Sequence, residues 1–261
     1  MWALDFFTSH PVFTVDEFRA AHASRAISRQ TTLNLLRYHV EQRHIVRLRR
    51  GLYATPQAAV DPYLLAAKLA PDAALAYHSA LQFRGRAYSI WHRYPVLTRH
   101  REAPLQLAAI ELVSIQAPIN LRKREDLGGH IVDEFHGDAT TTVRVATYER
   151  TLVDVFDRPD LGGGWEEIWR SLDMIEFFDL EAVIDYTTTL GVALTAARVG
   201  YYLESNRQRL MVEEHHLRRM EMLRPQQPRY FDPHLRGGSL STRWNLYVPP
   251  EIADQHWEEL R

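Results

Sequence analysis

Two helix starts and a glycine-centred turn, crowded into the first 53 residues, constrain this chain more than any other feature. Thr14-Val-Asp-Glu17 has the spacing of a capping box, in which the threonine hydroxyl accepts from the third helical amide and the glutamate reaches back. It predicts a short helix over about 15–23, with Phe18 facing inward and Ala21 and Ala23 allowing close approach. Ser28 is a second N-cap, and a helix over about 29–42 follows it. Leu33, Leu36 and Val40 recur at i, i+3 and i+7 as an apolar stripe, while Gln30, Thr31, Asn34, Arg37, Tyr38 and Glu41 occupy the other face. Ile45-Val-Arg-Leu48 and Leu52-Tyr-Ala54 then flank Arg49-Arg50-Gly51, the pattern of a β-hairpin. Ahead of these elements, residues 1–9 read as a helix burying some of Trp2, Leu4, Phe6 and Phe7, interrupted by Pro11.

That order, two helices joined by a tight turn and then an arginine-tipped hairpin, is the order of a winged helix-turn-helix. The second helix of such a module enters the major groove, and its N-terminal side chains meet base edges. Arg25, Ser28, Arg29, Gln30, Thr31, Thr32, Asn34 and Arg37 are the candidate contacts there. Arginine can pair bidentately with guanine, and glutamine or asparagine with adenine. Arg47, Arg49 and Arg50 form a basic wing suited to phosphate or the minor groove. Charge is distributed accordingly. Residues 1–55 hold eight arginines against four acids, a balance of +4, which leaves −6 for the remainder of a chain whose net charge is −2. A basic front on an acidic body is expected where one domain meets phosphate and the other does something else.

Beyond a proline-marked linker the pattern changes, so residues 1–58 and 59–261 are read as two domains of an α+β protein. Helical segments at about 62–70 and 76–83 precede strand-like runs at 94–98, 109–115, 130–135 and 141–146. Thr147 caps a further helix, Asp160-Leu-Gly-Gly-Gly164 reads as a turn, and helices at about 165–173, 179–190, 193–208 and 212–223 make the distal part. The body is therefore expected to be mixed α/β with a helical end. The absence of cysteine excludes disulfides and thiolate metal sites. With no signal-like start and no apolar run of membrane-spanning length, the chain is expected to be soluble and cytoplasmic.

Four segments in order carry a family resemblance: Arg49-Arg-Gly-Leu-Tyr53; Tyr77-His-Ser-Ala-Leu81; Thr147-Tyr-Glu-Arg-Thr-Leu-Val-Asp154 with Arg158-Pro-Asp-Leu-Gly-Gly163; and Arg243-Trp-Asn-Leu-Tyr-Val-Pro249. Together they resemble the AbiEi-type antitoxins, transcriptional regulators of bacterial abortive-infection operons, along nearly the whole chain. The resemblance implies a winged helix that binds inverted repeats in its own promoter and represses the operon. It implies a C-terminal domain required for antitoxin activity against an AbiEii-like nucleotidyltransferase toxin, with direct toxin contact left open. The body's −6 departs from a phosphate-binding domain, so any contribution it makes to DNA binding falls to local patches such as Arg122-Lys-Arg124 or Arg207-Gln-Arg209.

Enzymatic readings find less to stand on, and neither a catalytic residue, a cofactor nor a metal is expected. Glu213-Glu-His-His216 looks metal-like, but adjacent histidines on a helix point about 100° apart and cannot clamp one ion unaided. A metal-dependent nuclease needs clustered acids and a nearby cation. Glu111, Asp133 and Glu134 are candidate acids, yet the two lysines, Lys68 and Lys123, hold neither partner position. Gly162-Gly-Gly164 lacks the Gly-Lys-Ser/Thr of a phosphate loop. His78 and His130, beside apolar residues, read as buried and hydrogen-bonded. Glu149 and Arg150 read as buried ion-pair members, and Trp244 and Tyr247 as fasteners of the tail. A winged-helix-targeted nuclease and an effector-sensing regulator stand as alternatives to the antitoxin reading.

Overall fold

The N-terminal elements of the computed structural model follow from their local signals. Helix α1 (Trp2–Ser9) turns Ala3, Phe6 and Phe7 inward and leaves Leu4 exposed. Strand β1 (Val12–Thr14) leads into α2 (Val15–Ala21), whose capping box is formed as expected: Thr14 accepts from the Glu17 amide and Glu17 accepts from Thr14 N–H at 2.8 Å. A 3₁₀ turn (Ala23–Arg25) ends at Ala26 in the left-handed region, and Ser28 caps α3 (Arg29–Glu41). Strands β2 (Val46–Arg49) and β3 (Leu52–Ala54) form the hairpin. Gly51 turns it at φ +84°, a conformation that glycine adopts without strain. The three strands pair in the order β1-β3-β2.

Three details depart from the expected pattern. Ala21 and Ala23, expected to allow close approach, are exposed, because α2 ends at Ala21 and it is His22 that turns inward. Strand β1 has no counterpart in the sequence reading, because three residues beside Pro11 are too few to show an alternation. The buried line of α3 is Thr32, Leu36 and His39, whereas Leu33 and Val40 are only partly covered. The cause is the aromatic cluster under the helix. Phe6 meets Phe13 at 5.2 Å and Phe18 at 5.1 Å, both edge to face. Such pairs add about 0.5–1.5 kcal/mol each beyond area burial. Phe7 in turn packs edge-on against His39 at 5.0 Å, which rotates that ring inward.

The described residues are 2–56, 61–107, 109–136, 141–235, 237–255 and 257, so the expected domain boundary at 58 lies outside them. The body begins with α4 (Pro62–Ala67), capped by Asp61, followed by β4 (Ala74–Leu75) and α5 (His78–Phe83). Then come β5 (Arg93–Thr98), β6 (Leu105–Leu107), β7 (Ile110–Gln116), α6 (Ile119–Arg122), β8 (Ile131–His136) and β9 (Thr141–Ala146). These strands make one mixed six-stranded sheet in the order β6-β7-β5-β4-β9-β8, with β5/β7 and β4/β9 parallel. The four expected strand runs all pair, while the very short β4 and β6 escaped notice. Helix α4 lies against β4, β5, β7 and β9.

The distal helices follow: α7 (Tyr148–Asp157), α8 (Pro159–Gly162), α9 (Trp165–Asp173), α10 (Leu180–Leu190), α11 (Ala193–Ser205) and α12 (Glu214–Leu223). The expected turn at 160–164 is in part the helical turn α8, closed by Gly163 in the left-handed region. The tail adds β10 (Arg229–Tyr230), β11 (Ser239–Ser241), β12 (Leu246–Val248) and α13 (Pro250–Ala253). Trp244 is fully buried, and a Cβ at Gly200 would stand 2.2 Å from its ring, so α11 needs glycine there. The fold is mixed α+β, and no described helix is long and apolar enough to cross a membrane.

The N-terminal elements have their own core, yet Val12, Leu52 and Ala54 belong to the body's apolar cluster. One face of the small sheet therefore joins the two regions.

Candidate nucleic-acid interface

Helix α3 sorts the expected contact residues into free and engaged groups. Arg29, Gln30, Thr31, Asn34 and Arg37 are exposed. Gln30 Nε2 donates to Asn34 Oδ1 at 3.1 Å, one turn along, an i, i+4 pair that aligns two amides on one face. Ser28 Oγ accepts from Thr31 N–H at 3.1 Å and lies 2.9 Å from Thr31 Oγ1, so its first task is the helix cap. Thr32 is buried, with Oγ1 donating to the Ser28 carbonyl at 3.1 Å, and cannot reach a base. Arg25 lies over the Trp2 ring at 4.6 Å, a cation–π contact on an exposed edge.

The hairpin divides in the same way. Arg47 and Arg50 are exposed, and Arg47 Nε donates to the Arg49 carbonyl at 3.2 Å across an irregularity in β2. Arg49 is tied to the body. Its Nη1 pairs with Glu102 at 3.3 Å and its Nη2 donates to the Leu69 carbonyl. Lys68 reaches in the opposite direction to Glu17, the carboxylate of the α2 capping box. Burial pushes the Glu17 carboxyl up, but the Lys68 ammonium and the Thr14 donors outweigh it and hold it below its ordinary value. The same carboxylate thus closes the helix cap and bridges the two regions.

Between α3, the hairpin and residues 67–71 runs a groove of about 1040 Å³. Arg29, Arg37, Arg47, Arg49, Arg50 and Lys68 line it, with Asp16 and Glu17 as its acids. At the far end of α3, His39 Nδ1 and His44 Nδ1 stand 3.0 Å apart. Burial first, then His44, lowers the His39 pKa. Sequence reasoning missed Lys68 and Glu102. Both partners lie more than 50 residues from the residues they hold, and no local spacing announces such a pair.

The other candidate residues are mostly structural. In the expected basic patches Arg122 donates to the Ala117 carbonyl, Arg124 pairs with Asp126, Arg207 with Glu214, and Arg209 binds Asp173 and the Ile175 carbonyl, while Lys123 is exposed. Glu111 lies on β7 and Asp133 and Glu134 on β8, four strand positions away, or about 19 Å at the usual strand spacing. These acids cannot share an ion. His78 is buried with Nε2 3.1 Å from Glu167 and stacks on Trp91 at 4.1 Å. Ser89 supplies Glu167 with N–H and O–H donors at 2.9 and 2.7 Å. Burial pushes Glu167 up, but His78 and Ser89 outweigh it and bring the carboxyl to about 2. His130 is partly exposed and pairs with Asp185 at 3.2 Å.

Arg150 is fully buried, with Nε 3.2 Å from Asp154, Nη1 on the Leu127 and Gly129 carbonyls and the guanidinium over Tyr186. Glu149, expected to share that role, instead accepts from the Asp179 amide at 3.2 Å. Trp244 does fasten the tail, its indole N–H donating to Glu204 at 2.6 Å.

No family model matches the chain, and no curated protein matches it in sequence. Among solved structures, it is similar to the RV2827C protein from Mycobacterium tuberculosis, at 19% identity. The similarity covers 99% of this chain and 94% of that one, with a TM-score of 0.61. At that identity the two share a fold.

Proposed function

We propose that this protein is a DNA-binding antitoxin and autorepressor, with the N-terminal unit, residues 1–58, acting as a winged helix-turn-helix. The observation that carries the reading is the gathering of Arg29, Arg37, Arg47 and Arg50 around one groove beside the exposed Gln30–Asn34 pair. Such a surface combines phosphate-seeking cations with amides able to read adenine edges. The order α2, α3, β2, β3 supplies the two helices and wing of that module. The AbiEi resemblance supplies the rest of the proposal: double-stranded DNA bearing inverted repeats in the protein's own promoter as one partner, and an operon-encoded nucleotidyltransferase toxin as the opponent. Arg49, tied to Glu102 and Leu69, orients the wing instead of touching phosphate.

A mobility-shift titration against the protein's own upstream region tests this. Binding should weaken steeply with salt, because each neutralised phosphate releases counterions. Gln30→Ala or Asn34→Ala should relax base preference at one position, by about 1–3 kcal/mol of discrimination. Salt-insensitive binding, or a base preference that survives both substitutions, would remove α3 as the reading helix. Growth rescue on co-expression with the neighbouring nucleotidyltransferase tests the antitoxin half separately.

A further inference from the structure

We propose that Glu181, His215 and His216 form a binding site for a transition-metal dication of the zinc class. The site is independent of the DNA-binding reading. Two adjacent helical histidines diverge by about 100° and need a third ligand between them. The tertiary structure supplies it, because the first turn of α10 brings Glu181 against the first turn of α12. The two imidazoles lean together with centroids 3.8 Å apart. Glu181 Oε1 faces both, 3.8 Å from His215 Nε2 and 3.6 Å from His216 Nε2. Ligand atoms about 2.0–2.1 Å from a tetrahedral zinc stand about 3.3 Å from one another, so closure asks only small rotations of surface side chains.

The surrounding groups suit two of the three ligands. Arg219 holds Oε2 of Glu181, which leaves Oε1 directed at the histidines. Glu213 Oε2 lies 3.3 Å from His215 Nδ1, the carboxylate–histidine pairing that orients a metal-binding ring. His216 is the costly one. Its Nδ1 accepts from the Glu213 amide at 3.1 Å, so the metal-free neutral ring carries its proton on Nε2. Ligation through Nε2 requires the tautomer with the proton on Nδ1, which gives up the bond from the Glu213 amide, so uptake competes with the helix cap; it weakens as pH falls because protons compete for the same imidazoles. The imidazole–carboxylate set suits Zn²⁺, Co²⁺ or Ni²⁺ over Mg²⁺ or Ca²⁺. Three protein ligands leave a coordination position for water or a small ligand. Glu181 and His216 also line a hollow of about 220 Å³ together with Phe177, Phe178, Leu210 and Met211.

The test uses untagged full-length protein. Zn²⁺ is titrated in by calorimetry at neutral pH, and Co²⁺ is followed by its visible absorption. One ion per chain is expected, and Glu181→Gln and His215→Ala should each weaken affinity at least tenfold without shifting the melting temperature of metal-free protein. His39→Ala serves as the control for the other histidine pair and should leave affinity unchanged. The site is overturned if no binding occurs below about 1 mM, if both ligand variants bind like wild type, or if His39→Ala is the variant that abolishes binding.

Discussion

Arginine does opposite work in the two regions of this molecule. In the N-terminal unit Arg29, Arg37, Arg47 and Arg50 hold their guanidinium groups at the surface around one groove. In the body Arg150 and Arg198 are 0% and 4% exposed. Arg198 donates to the Phe231 and Phe156 carbonyls at 2.7 and 2.8 Å. Burial drags its pKa to about 10, with Asp232 and Asp157 resisting. A planar fork of donors can satisfy carbonyls inside a protein or phosphates outside it. The surroundings decide which. Arg49 sits between the two regions, in the hairpin by sequence and tied to the body by its partners.

The largest effect expected from breaking this contrast is on Arg150. Removing it by Arg150→Ala strands the Asp154 charge in the core and should cost about 3–5 kcal/mol, read from urea unfolding. A loss below 1 kcal/mol would mean that the buried pair is not a keystone. Next comes pH. Glu167 falls to about 2 in the folded protein from an ordinary 4.5. A depressed carboxyl stabilises fully above its unfolded pKa and loses that contribution as pH drops from about 4.5 toward 2. Unfolding midpoints measured over that range should slope less in Glu167→Gln than in wild type; parallel slopes would remove Glu167 from the account.

The exposed group gives the reverse signature. Arg47→Ala combined with Arg50→Ala should leave stability within about 0.5 kcal/mol yet lower the salt slope of DNA binding by about 2. An unchanged slope would mean that the hairpin does not meet phosphate. The smallest effect on the salt slope belongs to Arg49→Ala, which loses a partly exposed pair worth about 1 kcal/mol or less. Its salt slope should match wild type. A slope lower by about 1 would show that Arg49 leaves Glu102 for the duplex.

Much of the local architecture was legible in the chain. The Thr14–Glu17 capping box, the Ser28 and Thr147 caps and the Gly51 turn are formed where spacing put them. Each is a contact between residues at most four apart, so covalent connectivity already brings the partners together. Strands β1, β4 and β6 were not legible, being two or three residues long. Their pairing depends on strands elsewhere in the chain. The inward rotation of α3 onto Thr32 and His39 was also hidden, since it answers to Phe7 and Phe6 beneath the helix.

By itself the sequence determined the longer helices and the N-terminal hairpin, and it placed a basic surplus in the first 55 residues. Only the tertiary structure decided which arginines remain available. It withdrew Arg49 through Glu102, buried Arg150 beside Asp154, and brought Glu181 to His215 and His216. A charged side chain's role depends on what lies within about 4 Å of it. For Arg49 and for the two histidines those neighbours come from tens of residues away.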